Sequence, residues 1–319
     1  MSGLPIGCVN FNQDGSCFAI VDAHGFRVFN TDPLKEICGV RLHGELRYAE
    51  PIYRSGLVAL VGGGLQPAFP PEKGEQTAGI LSFVVTCKRD RIVAATDLNV
   101  YVYSFAGIPE CLYCVETQPN PLGIFSVIEF DSHLLIGFPA RSEGFVGISS
   151  LPASPHQRPR TQVFFAHQHH IQKISISPNG SQVATASSKG TLVRLFDLSS
   201  MALVAEFRRG SGSATISCIS FSPDSSFVCV ASNRQTLHLF STAQSKEEER
   251  SSFIERYTGR QSRFRLNRSG AKLSAAQLFF GLHNVIAIDC NGNYEKFDVN
   301  LETRECLNST ARAIHPSAD

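Results

Sequence analysis

Phe207-Arg208-Arg209-Gly210 sets two adjacent guanidinium groups at the end of an apolar run, Leu203-Val204-Ala205-Glu206-Phe207. The run reads as a β-strand, and side chains alternate faces along a strand. Arg208 and Arg209 are therefore expected to point in opposite directions. A guanidinium is a planar fork of donors that matches phosphate or carboxylate oxygens. One short motif can thus arm two anion sites, one on each side of the strand. A bare arginine pair is more often a solvated surface feature or a single structural ion pair, so the neighbouring residues decide.

Upstream, Thr185-Ala186-Ser187-Ser188-Lys189-Gly190-Thr191 offers hydroxyls and a glycine turn, and Arg194 follows between Val193 and Leu195. Hydroxyls donate to phosphate, and glycine lets backbone N–H groups approach an anion closely. A buried guanidinium without a partner is costly, so Arg194 must face an anion or an acidic side chain. Downstream, Ser232-Asn233-Arg234-Gln235-Thr236-Leu237-His238 again offers hydroxyls, a base and a histidine. Each cluster pairs with one arginine, as two anion pockets would require. The same residue types also build the hydrogen-bond networks of WD40-type blades. The residues alone leave these two readings evenly balanced.

The elements that position the clusters repeat. Phe11-Asn12-Gln13-Asp14-Gly15-Ser16, Ile176-Ser177-Pro178-Asn179-Gly180-Ser181 and Phe221-Ser222-Pro223-Asp224-Ser225-Ser226 each precede a strand, a turn and a second strand. Ile176 and Phe221 lie 45 residues apart. Short strands at that period, with turn residues between them, predict an all-β fold: a seven-bladed, divergent WD40-like β-propeller spanning residues 1–319 as one domain. The chain has no tryptophan. Phe29, Phe196 and Phe240 stand at the strand positions where a Trp-Asp signature would fall.

Composition narrows the classes. The chain is 43% hydrophobic with a formal net charge of +1, too balanced to bind nucleic acid through overall charge. No run approaches a membrane span, and Met1-Ser2-Gly3-Leu4-Pro5 lacks the regions of a signal peptide. The expectation is a cytoplasmic monomer with peripheral membrane contact. Ten cysteines in such a chain predict reduced thiols. Cys111-Leu112-Tyr113-Cys114 is a lone CxxC, expected to be packed strand cysteines. The His167, His169 and His170 cluster lacks nearby carboxylate or thiol ligands, so no metal or other cofactor is expected. No GxSxG, Cys-His pairing or carboxylate pair marks an enzyme.

Phe207-Arg208-Arg209-Gly210, flanked by Ala184-Thr185-Ala186-Ser187, Gly190-Thr191-Leu192-Val193-Arg194-Leu195-Phe196, Ala231-Ser232-Asn233 and Thr236-Leu237-His238-Leu239-Phe240, resembles the PROPPIN family. Residues Gly25 to Glu36, and Leu57 to Gly64 with Pro70-Pro71, are similar to its shorter, WIPI-type members. The resemblance implies a seven-bladed propeller that binds phosphatidylinositol 3-phosphate and phosphatidylinositol 3,5-bisphosphate and acts in autophagy. It implies one headgroup site on the Arg208 side, with His167, Thr185, Ser187, Gly190, Thr191 and Arg194. It implies a second on the Arg209 side, with Ser232, Thr236 and His238, and Gly210 serving the backbone turn. It also implies recruitment to phagophore, endosomal, vacuolar or lysosomal membranes. Asn12 and Asp14 would face the bridge-like lipid-transfer protein of autophagy.

Residues 241–272 form an insertion and a following strand within the sixth blade. Phe253, Ile254, Arg256, Tyr257 and Arg260 interleave aromatic, apolar and basic groups suited to an anionic bilayer. In the family the corresponding loop inserts into the membrane. Between Pro71 and Arg91 the segment is short where the family carries a longer one, so one early blade is expected to be irregular. The competing class is a WD40-type protein scaffold without lipid binding.

Overall fold

The computed structural model describes residues 7–69, 82–85, 91–105, 108–152, 158–234, 236–242, 261–265, 276–281, 283–289, 291–300 and 305–314. The described residues are all-β. The first sheet holds β1 (Cys8–Phe11), β2 (Cys17–Asp22), β3 (Gly25–Asn30) and β4 (Lys35–Arg41). A two-stranded sheet follows, β5 (Leu46–Ile52) with β6 (Leu57–Gly62). The next four-stranded sheet holds β7 (Ser82–Val85), β8 (Arg91–Ala95), β9 (Asn99–Ser104) and β10 (Cys111–Glu116). Then come β11 (Ser126–Phe130), β12 (His133–Pro139), β13 (Phe145–Pro152) and β14 (Arg160–Phe165). The motif sheet is β15 (Ile171–Ile176), β16 (Gln182–Ser187), β17 (Leu192–Asp197) and β18 (Leu203–Arg208). Beyond it lie β19 (Ile216–Phe221), β20 (Phe227–Ser232), β21 (Thr236–Ser241) and β22 (Gln261–Arg265). The last sheet is β23 (Ala276–Phe280), β24 (Asn284–Asp289), β25 (Asn293–Asn300) and β26 (Glu305–Ala313).

Six four-stranded antiparallel blades are therefore described. The sequence expectation of seven is not met by a seventh four-stranded unit: β5–β6 has two strands, and residues 70–81 after it lie outside the described residues.

The repeat is written in its turns. At the first hairpin of three blades, Asp14, Asn179 and Asp224 accept the backbone N–H two residues on, from Ser16, Ser181 and Ser226, at 2.9, 3.1 and 3.1 Å. Asn12, Ser177 and Ser222 accept the N–H of Cys17, Gln182 and Phe227 five residues on. The fourth turn position has φ of 66° at Gly15, 65° at Gly180 and 63° at Ser225, the left-handed region that these short polar turns select.

Apolar clusters fill the seams between sheets. Phe207 and Phe240, from neighbouring blades, stack at 4.6 Å and 14° inside one of them. Phe29 stacks on Phe18 at 5.4 Å, and Phe196 meets Phe164 at 4.7 Å. All three phenylalanines at the Trp-Asp positions are buried and paired with another ring, so they anchor their blades. The first and last sheets meet through a shared core of Phe18, Ile20, Ile286, Ile288 and Tyr294. The Tyr294 hydroxyl donates to the Thr31 carbonyl at 2.9 Å, and Lys296 pairs with Asp32 at 2.7 Å.

Candidate functional site

Strand alternation at the motif is as expected. Phe207 is buried, Arg208 exposed and Arg209 buried. Arg208 ends β18 opposite Leu192, and Arg209 hands its backbone N–H to the Thr191 carbonyl at 2.9 Å. The Arg209 guanidinium donates from Nε to the Gly190 carbonyl at 2.9 Å and from Nη2 to the Gly212 carbonyl. Two backbone carbonyls thus satisfy part of its charge.

The connector after the motif ties both polar clusters together. Ala214 N–H donates to the Lys189 carbonyl at 3.3 Å, and Arg234 Nη2 donates to the Ser213 carbonyl at 2.8 Å. Asn233 and Thr215 exchange hydrogen bonds, Asn233 N to Thr215 O at 3.0 Å and Thr215 N to Asn233 Oδ1 at 3.2 Å. Gly190 sits under this connector at φ 61°, and a Cβ there would lie 1.7 Å from the Ala214 carbonyl oxygen. Gly210 has no positive φ, and a Cβ there meets nothing within 4 Å. The backbone demand that the sequence reading placed at Gly210 falls on Gly190.

On the first side, His167, Thr185 and Arg194 come together. His167 Nε2 lies 3.0 Å from Thr185 Oγ1, and the Thr185 hydroxyl donates to the Arg194 carbonyl at 3.4 Å. Burial pushes the His167 imidazole down to about 4, and the Arg194 charge adds to the effect, so the ring is neutral at physiological pH. Arg194 faces an acidic side chain: Nε donates to Glu206 Oε2 at 2.8 Å and Nη1 to the Ala166 carbonyl at 2.6 Å. Arg194 and Glu206 stand directly opposite on β17 and β18, a cross-strand position from which the pair was readable once the register was known. Ser187 and Thr191 are buried at the two ends of the turn whose Gly190 N–H donates to the Ser187 carbonyl.

On the second side, Ser232 and His238 are buried on β20 and β21. The Ser232 hydroxyl accepts Arg234 N–H at 3.4 Å, and the His238 ring runs parallel to Phe240 at 6.1 Å. Thr236 begins β21, and its side chain lies outside the described residues.

Asn12 is buried, with its amide engaged by Ser16 and Cys17, whereas Asp14 is exposed. Phe253, Ile254, Arg256, Tyr257 and Arg260 lie outside the described residues. The insertion's anchor points are nevertheless defined: Phe240 pairs with Gln261, so the intervening residues join the third and fourth strands of one blade. The strand expected to follow the insertion within residues 241–272 is β22, Gln261–Arg265. Among the described residues no cluster of three or more metal-ligating side chains occurs, and no helix is long and apolar enough to cross a membrane.

Four-stranded blades around shared seams, with two polar clusters meeting at one connector, define a divergent WD40-like propeller. The sequence model of the PROPPIN family matches residues 5–275, and the chain belongs to that family. It is 32% identical over 260 residues to SVP1-like protein 2 of Pichia angusta, covering 77% of this chain and 72% of that protein. It is 30% identical over 272 residues to Autophagy-related protein 18 of Aspergillus oryzae, covering 78% and 65%. The chain thus spans about two thirds of the length of these curated relatives. Among solved structures, Kluyveromyces lactis Hsv2 with its complete loop 6CD superposes with a TM-score of 0.75 at 20% identity, covering 96% of this chain and 99% of that one. KlAtg21, in complex with the coiled-coil of AgAtg16, superposes at 0.71 and 19%, covering 96% and 99%.

Proposed function

We propose that this chain is a peripheral membrane protein that binds phosphatidylinositol 3-phosphate and phosphatidylinositol 3,5-bisphosphate through two headgroup sites flanking Phe207–Gly210. In this reading it serves as an effector and scaffold in autophagosome formation. The observation that carries the reading is the split of the two arginines, Arg208 exposed and Arg209 buried, at the connector that joins the two polar clusters of a PROPPIN chain. The first site would use Arg208 with Ser187, Thr191, Thr185, His167 and Arg194; the second, Arg209 with Ser232, Thr236 and His238. Residues 241–272 would add a third contact, each basic side chain near an anionic bilayer contributing about 1 kcal/mol. Three weak contacts on one surface raise avidity by about 10²–10⁴ over one. The β5–β6 pair is read as the inner half of a seventh blade. Recruitment would be to phagophore, endosomal, vacuolar or lysosomal membranes. The bridge-like lipid-transfer protein of autophagy is the proposed protein partner, through the exposed Asp14 turn.

The second reading, a protein scaffold without lipid binding, draws on the pairing of Arg194 with Glu206 and of His167 with Thr185, which already occupies those groups. Liposome flotation separates the two. Arg208→Thr alters an exposed side chain and should abolish most 3-phosphoinositide-dependent flotation while leaving the circular dichroism spectrum unchanged. Flotation equal to that of the unaltered protein would sink the lipid reading.

A further inference from the structure

The CxxC segment was expected to pack inside a strand, and it does not. Cys111 and Cys114 are both exposed on β10, the outer strand of its blade. In a regular strand, residues three apart point to opposite faces. Here the register slips between Cys111 and Tyr113, so that Cys111 stands opposite Tyr103 and Cys114 opposite Tyr101. The extra residue, Leu112, bulges outward and is 54% exposed.

Tyr101 and Tyr103 share one face, their rings stacked at 5.8 Å. Both cysteines therefore lie on that same face. Tyr113 confirms the geometry from the other side: its hydroxyl bonds Ser149 and Thr161 of the next blade, at 2.9 and 2.8 Å. Cross-strand partners two residues apart set the cysteine Cα atoms about 6–7 Å apart. That is the limit of the span a disulfide can bridge, so closure turns the Cys111 thiol from the Tyr113 carbonyl and the Cys114 thiol from Asn99 Oδ1 and draws the strand together at the bulge. The two thiols also sense each other, since burial raises the Cys114 thiol and Cys111 adds to the rise. Among the described residues no third ligating side chain joins them, which disfavours a metal and leaves dithiol chemistry.

We propose that Cys111 and Cys114 form a dithiol site that a small-molecule disulfide closes reversibly into an intramolecular bridge. The Cys111 thiolate attacks one sulfur of the small disulfide, forming a mixed disulfide and releasing one thiol, which takes up a proton. Cys114, deprotonated in its turn, attacks the Cys111 sulfur and expels the second thiol. Two protein thiols lose two electrons and two protons, and the small disulfide is reduced to two thiols. The site is separate from the motif sheet and does not depend on lipid binding.

The test is mass spectrometry of the folded full chain after incubation with oxidised glutathione and blocking of the remaining thiols with N-ethylmaleimide. The tryptic peptide of residues 92–141 carries Cys111 and Cys114 and no other cysteine. It should appear two hydrogens lighter, with neither label attached. Cys38, exposed on β4, is the internal reference expected to carry glutathione or maleimide. Cys114→Ser should leave Cys111 as a stable glutathione adduct. The proposal falls if the unaltered chain shows separate adducts at both positions. It falls equally if peptide 92–141 is cross-linked to another peptide, such as the one carrying Cys87, or stays unoxidised while Cys38 reacts.

Discussion

Arg208 and Arg209 are neighbours in sequence with different consequences on substitution. Arg209→Thr removes donors to the buried Gly190 carbonyl and the Gly212 carbonyl and should cost about 1–3 kcal/mol in urea unfolding. Arg208→Thr, at an exposed side chain, should move that curve by less than about 1 kcal/mol and act chiefly on membrane binding. The two glycines divide in the same way. Gly190→Ala sets a Cβ against the Ala214 carbonyl at a left-handed φ and should destabilise by about 2–4 kcal/mol, whereas Gly210→Ala should be within about 0.5 kcal/mol of neutral. Two buried titrating groups give opposite pH dependences. His167 has an ordinary value of 6.5 and a folded one of about 4. Between these values mainly the unfolded chain holds the proton, so His167 withdraws stability as pH falls from 6.5 towards 4, about 3 kcal/mol in all. Glu50 is raised from 4.5 to about 7 by burial, despite its bonds from Tyr48 and Gln13. In that window mainly the folded chain holds its proton, so Glu50 withdraws stability as pH rises from 4.5 to 7. Urea titrations of His167→Gln and Glu50→Gln should show each slope disappear separately; an unchanged slope in either variant would remove that assignment.

At the scale of elements, the repeat was legible because its turns carry their own chemistry. Asp14, Asn179 and Asp224 close local rings with the N–H two residues on, which depends only on sequence neighbours. The alternation at Phe207, Arg208 and Arg209 was legible for the same reason. Cross-strand facts were not. The Arg194–Glu206 pair follows from the β17–β18 register, which slips at Leu195/Phe196, and the shared face of Cys111 and Cys114 follows from a slip in β10. A single inserted residue reverses every face beyond it, and nothing in the local composition announces the insertion. The insertion between β21 and β22 belongs to this scale as well. Replacing residues 243–260 with a Gly-Ser linker keeps both anchoring strands, so folding should persist. Liposome flotation should fall at least tenfold, whereas binding of a soluble inositol 1,3-bisphosphate headgroup, read by calorimetry, should stay within twofold. Equal losses in both assays would mean that the segment supports the headgroup sites instead of touching the bilayer.

At the scale of the molecule, the period of about 45 residues predicted repeated four-stranded units, of which six are described where seven were expected. A repeat reports what each blade shares, and the second sheet departs from its neighbours by having two described strands. The short stretch after Pro71, where the sequence expectation put an irregular blade, lies outside the described residues apart from β7. The candidate site lies three sheets further along, on β16 to β21, where the blades are complete.

The meeting of the first and last sheets has a mechanical meaning. Each of these sheets is built from four consecutive strands, so among the described residues no strand from one end of the chain is woven into the sheet of the other. The ring is held shut as a clasp holds a bracelet, by side chains: the Phe18–Ile286 core, the Tyr294 hydroxyl on Thr31 and the Lys296–Asp32 pair. A clasp of this kind can open without unravelling any blade. Amide exchange of the first and last blades should therefore outpace that of the motif blade, and Tyr294→Phe should widen the gap by removing one of its fasteners. Uniform protection across all blades would show that the ring opens only by global unfolding.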